Sequence, residues 1–215
     1  MRSILLLMCA WFGLGMVAEA QDRAKAEQLC EQAMDLVYER EEEVTKEIIQ
    51  KAIELYQEAI EADDSYSPAY EQVAIEYWSI GERDLAFAAL AKGMEKVSNG
   101  AMFYLLRGIF LEDSEKMEEA NQSYKEAAKL FDRVVKEQKS FDIIFYRALT
   151  YYLLQNQEVA IAKYQEAIDK RWYPLKDYEE FYEMQMDFLE NMDLMDFIHQ
   201  SITDKYGLKN ASANP

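Results

Sequence analysis

Three alanines, Ala52, Ala86 and Ala120, stand 34 apart in turn. Tyr56, Leu90 and Tyr124 keep that interval, as do Ala59, Gly93 and Ala127. Within each set the small residue, the large apolar residue and the second small residue fall at i, i+4 and i+7, which is one face of a helix. Tyr70 and Tyr104, and Ala74 and Gly108, are likewise 34 apart and mark another helix in each period. A unit of that size with two amphipathic helices cannot bury its apolar face alone, so copies must stack on one another. A fourth copy, with Ala148, Ala160, Tyr164 and Ala167, arrives at an offset of 40 from the third. The six inserted residues fall within 130–140, where Phe131, Val134 and Val135 predict that a helix simply runs on.

The spacing of apolar residues predicts helices over about 24–38, 44–62, 68–79, 82–97, 101–112, 115–138, 141–154 and 157–170. Turn chemistry separates them. Asp63-Asp64-Ser65 ends one helix, and Ser67-Pro68 is expected to open the next with a capping residue and a proline in the first turn. Ser79-Ile80-Gly81 is a tight turn, and Ser98-Asn99-Gly100 is expected to supply a left-handed cap. The run 39–43, with four glutamates and Arg40, reads as a solvated turn or exposed helix end: adjacent side chains on a helix diverge and do not converge on a metal ion. Only seven Gly and three Pro in 215 residues favour helix throughout, and no alternating β-branched runs predict a sheet. The 23 basic and 41 acidic side chains give a net charge of −18, which repels phosphate backbones and anionic headgroups. Nucleic acid is therefore not an expected partner; the plain reading of the acidity is solubility.

The copies read Tyr70-x2-Val73-Ala74-x2-Tyr77 with Ala86-x3-Leu90, then Tyr104-x2-Arg107-Gly108-x2-Leu111 with Ala120-x3-Tyr124. The next is Ile144-x2-Arg147-Ala148-x2-Tyr151 with Ala160-x3-Tyr164. This resembles the tetratricopeptide repeat (TPR) family, whose unit of about 34 residues carries W-x2-L-G-x2-Y followed by A-x3-F. The resemblance covers roughly residues 46–170, with the clearest repeats at 68–97, 101–138 and 141–170. It implies an all-α, right-handed superhelical solenoid of antiparallel helix pairs within one domain, 21–206. The first helix, 24–38, departs from the register and reads as a degenerate start. Residues 177–206, with Tyr178, Phe181, Phe188, Leu189, Phe197, Ile198 and Ile202, lack the alanine signature and read as a capping pair. Residues 207–215 read as a flexible tail. Arg107 and Arg147 stand where the family buries a leucine. Their stems are expected to lie along a neighbouring helix with the heads on surface carboxylates, an anion-binding role being the alternative.

In that family the first helices line a concave groove that holds a peptide or helix. The groove positions implied here are Glu71, Ile75 and Trp78 in one copy, Leu105, Ile109 and Glu112 in the next, and Phe145, Leu149 and Tyr152 in the last. The Lys and Asn set with which one subset of the family grips a terminal carboxylate is not found at these positions. The stripe is largely apolar, which suits an amphipathic helix or apolar peptide, with Trp78 and Phe145 as anchors. Three other occupants stay open: the helix 24–38, the capping pair, or a second copy of the chain, which would make a homo-oligomer. A carrier role for a small apolar ligand or glycan, stacked on Trp78 and Tyr152, is the alternative function.

The chain is not expected to be an enzyme or to use a metal or cofactor. Its only histidine, His199, lies beside Ile198 and Ile202, and glycine-rich phosphate loops, HExxH, CxxC and GxSxG are missing. Arg2, the apolar run 4–17 and Ala18-Glu19-Ala20 form an expected signal peptide, 1–20, cut after Ala20. An uncleaved anchor or a lipoprotein at Cys9 are the alternatives. Export implies a periplasmic or secreted protein. Cys30, at helical spacing with Ala26, Ala33 and Val37, is expected to be a small buried hydrophobe, with an intermolecular disulfide as the sharper option.

Overall fold

The computed structural model describes residues 22–38, 44–138, 140–170, 172, 179–191, 193–203 and 205–206. The expected signal peptide 1–20, the acidic run 39–43, the expected tail 207–215, Tyr178 of the expected capping pair and the side chain of His199 lie outside the described residues. Among those described there are helices and turns and no strand. Helix α1 covers residues 22–38. It is followed by α2 (Lys46–Ala62), α3 (Ser67–Ser79), α4 (Arg83–Lys96), α5 (Ala101–Asp113) and α6 (Met117–Glu137). Then come α7 (Phe141–Leu154), α8 (Gln157–Asp169), α9 (Glu179–Asn191), the short α10 (Leu194–Ile198) and a π-helical turn, His199–Thr203. From α2 to α9 each helix packs against the next, most closely α3 on α4, α5 on α6 and α7 on α8.

The helix starts carry the sequence period into space. From α3 to α5 and from α4 to α6 the starts are offset by 34; from α5 to α7 and from α6 to α8 the offset is 40. The six extra residues lengthen α6 to 21 residues against 14 for α4, and they bury Phe131, Val134 and Val135. The repeated alanines are closed off completely: Ala52, Ala86, Ala120 and Ala160 are all fully buried. Their lack of side-chain bulk lets the helix backbones approach. Two glycines serve the same end. A methyl on Gly93 would lie 2.6 Å from the Phe103 ring, and one on Gly108 would run into the ring of Tyr124.

The turns repeat as well. After α3, Gly81 takes φ 85° and the Glu82 N–H donates to the Tyr77 carbonyl at 2.9 Å. After α5, Glu115 takes φ 61° and the Lys116 N–H donates to the Leu111 carbonyl at 2.9 Å. The two turns are one repeat period apart, and the bond closing six residues around a left-handed one is the Schellman cap. Two expected caps differ. Gly100 takes φ −86°, and the 98–100 break is closed by the Asn99 side chain, which accepts from the Ala101 N–H at 3.3 Å. Ser67 lies inside the helix, behind Tyr66 as N-cap, and its hydroxyl donates to Glu71 Oε1 at 2.5 Å.

At the start of the chain, α1 buries Ala26, Cys30, Ala33 and Val37. Cys30 is a buried free thiol, and desolvation pushes its pKa up to about 12. Arg23 ties α1 to the α2–α3 turn, 2.6 Å from Asp63 and 4.9 Å above the Tyr66 ring. At the other end, α9 closes the row: Tyr182 stacks on Tyr164 at 5.4 Å, Phe181 meets Phe141 at 4.6 Å and Phe188 meets Phe145 at 5.6 Å.

The two arginines at leucine positions take different routes. Arg147 is almost fully buried between α6, α7 and α8, 2.6 Å from Asp132, 2.8 Å from Glu166 and 2.7 Å from the Lys163 carbonyl. Its head faces the rings of Tyr151 and Trp172 at 5.7 and 5.4 Å. Arg107 is exposed and borders a cleft of about 430 Å³ with Phe87, Leu90, Met94 and Leu111. They share no geometry that would hold one anion.

Candidate functional site

The nine residues assigned to a groove lie on α3, α5 and α7. Ile75, Trp78, Leu105, Ile109 and Leu149 are between 1% and 8% exposed, and Glu71, Glu112, Phe145 and Tyr152 are half-buried. The chain's own C-terminal segment covers much of this face. It runs along the row from the last copy to the first. Phe188 and Phe197 come together beside Phe145, and Tyr152 lies within the field of Asp193 and Glu112. Next, Met195, Ile198 and Thr203 meet Ile109 and Glu112 around a cavity of about 120 Å³. Beyond it, the π-helical turn packs on α3 and α5, and Lys205 reaches Glu76 of α3.

Trp78 is held by rings of α4 and α5, and Glu112 by its partner helix α6. Trp78 stacks on Phe110 with ring centroids 4.2 Å apart and planes 1° from parallel, meets Phe87 edge-on at 5.7 Å, and carries Arg83 at 5.1 Å. Seven residues bring the helix back within about 20° of Glu71, but at the C-terminal end of α3 that direction is closed by α4 and α5. Glu112 accepts from the Tyr124 hydroxyl at 2.6 Å. Burial and this carboxylate together raise the Tyr124 pKa far above the usual phenol range. Glu71 is raised by desolvation, opposed by its bond from Ser67.

One residue that the spacing rule passed over stands out. Glu76, next to Ile75, is fully buried. Its Oε1 accepts from Lys205 Nζ at 2.7 Å and from the Tyr206 hydroxyl at 3.0 Å, across 129 and 130 residues of sequence. The same Lys205 ammonium lies 4.4 Å from the centre of the Tyr38 ring on α1 and 5.0 Å from that of Tyr206. Glu76 Oε2 and the Tyr56 hydroxyl are buried and have no hydrogen-bond partner among the described residues. Desolvation, and after it the Glu76 charge, push the Tyr56 and Tyr206 hydroxyls well above the usual range. The available signal in the sequence was a glutamate inside the apolar run 73–78; its counter-ion, far away in a segment without the repeat pattern, carried none.

Among the described residues no group of three or more His, Cys, Asp or Glu could hold a metal ion, and no helix is long and apolar enough to cross a membrane. The 120 Å³ cavity is well below the roughly 300 Å³ at which small-molecule pockets begin. A larger cleft of about 740 Å³ lies at the α1 and α2–α3 corner, lined by Arg23, Asp63, Asp64, Lys92 and Lys96 and by none of the nine residues. Comparisons with protein-family models, with curated proteins and with solved structures found no match.

Proposed function

We propose that this chain is a non-catalytic protein–protein interaction scaffold that holds a peptide or short helix on the shared face of α3, α5 and α7. The observation that carries this reading is the C-terminal segment itself: a non-repeat stretch of polypeptide lies along that face and is anchored at its far end on Glu76. A surface that seats one such segment by apolar contacts and one buried ion pair has the features that seat another. The recurring offset of helix starts and turns supports a right-handed tetratricopeptide-like solenoid as the architecture. The apolar start of the sequence supports export to the periplasm or outside the cell.

A selection of displayed random peptides against the folded chain tests the reading. Binders are expected to lose at least ten-fold in affinity on a Phe145→Ala, Tyr152→Ala variant of unchanged helicity, and nothing on Leu85→Ala, an exposed residue of α4. Binders indifferent to both, or none at all, would refute it. Trp78 is left unchanged in this test because its ring belongs to the α3–α4–α5 core.

A further inference from the structure

The geometry points to a primary-ammonium site on α3, built from the Glu76 carboxylate and the Tyr38 ring, which the chain fills with its own Lys205 and which accepts a lysine beside an aromatic residue from a partner peptide. This rests on the peptide-binding reading and names the chemistry that such a peptide must carry. Lys205 Nζ sits 2.7 Å from a fully buried carboxylate oxygen and 4.4 Å from an aromatic ring centre, the arrangement in which a cation is held by charge and by ring quadrupole together.

Three observations make the occupant exchangeable. Glu76 keeps a second oxygen, Oε2, buried and without a hydrogen-bond partner among the described residues, and the Tyr56 hydroxyl nearby is in the same state, so Lys205 and Tyr206 leave polar capacity unused. The segment that delivers Lys205 is short, five helical residues and a π-helical turn. Tyr38, one wall of the site, is 57% exposed, whereas Glu76 is fully buried. The net charge of −18 on the chain as a whole favours the approach of basic segments.

A fluorescent synthetic peptide of residues 193–206, titrated into the full chain, tests the site. Lys205→Ala in the protein vacates it and is expected to tighten peptide binding at least ten-fold over wild type. Replacing the lysine of the peptide by methionine, or adding Glu76→Gln to the Lys205→Ala protein, is expected to lose at least ten-fold. If Lys205→Ala lowers the helicity, wild type is used instead: saturating peptide is expected to speed amide exchange across 193–206, and unchanged exchange overturns the proposal. Binding that ignores the peptide lysine overturns the ammonium site and leaves the peptide-binding face standing. A folded, vacated protein that takes no peptide overturns both. A wild-type dimer in light scattering that Glu76→Gln dissolves would make the occupant a second copy of the chain and overturn the foreign partner.

Discussion

At Gly108 a single missing methyl decides how close α5 and α6 come. Tyr124, whose ring fills that space, is tied through its hydroxyl to Glu112 and cannot swing aside without breaking the bond. Gly108→Ala is therefore expected to cost about 1–3 kcal/mol by overpacking, measured by denaturant melts beside a Gly100→Ala control, where a methyl lies no nearer than 3.8 Å to Tyr104. The Arg147 cluster acts through charge. Bonds from Lys170 and then Arg147 hold the Glu166 carboxyl at about 2, below its ordinary 4.5. A depressed carboxylate contributes stability that is complete above about 4.5 and is lost as pH falls towards 2. The melting temperature of wild type should fall relative to that of Glu166→Gln across that window; a constant difference would refute the linkage. Partial exposure of Glu166 keeps the effect modest.

Helices α3, α4 and α5 meet through aromatic rings. Trp78, Phe87 and Phe110 form a three-ring cluster with one stacked and two edge contacts, and Trp78 is 1% exposed. Trp78→Ala is expected to destabilise the fold by about 3–5 kcal/mol, read in thermal or urea melts followed by helicity. A loss under about 1 kcal/mol would mean that the ring is not core, and the surface role expected from spacing would return. The turns between helices show local chemistry being overridden. Glu115 takes a left-handed conformation that glycine holds one period earlier, at a cost of about 1–2 kcal/mol. The helices on either side, fixed by their own packing, impose it. Helix bounds were legible to within two residues because they follow from local apolar spacing. The Ser67 and Asn99-Gly100 caps were misjudged because a residue type permits several local hydrogen bonds and the helix ends select among them.

Across the whole molecule, Glu76 and Lys205 join residues 129 apart, the second helix of the repeat row to the last turns described. Each charge is buried and compensated chiefly by the other. Removing either alone, as Glu76→Gln or Lys205→Met, is expected to cost about 3–5 kcal/mol, since a buried charge is left unpaired. The double variant is expected to recover most of this loss, because a neutral pair avoids desolvation altogether. A double-mutant cycle in urea measures the coupling, and additive losses would show that the pair does not act as a unit.

The sequence alone determined the helices, their repeating register, the insertion in α6 and the small residues that let neighbours approach. These are consequences of short-range spacing, repeated often enough to be unmistakable. It also brought Ile109, Phe145, Leu149 and their neighbours onto one row of helices. Only the tertiary structure decided what lies over that row. A segment without periodic signal returns along it, and Glu76 of α3 meets Lys205 in the last turns described. Local pattern holds no record of such a meeting, which depends on the accumulated direction of every helix between them.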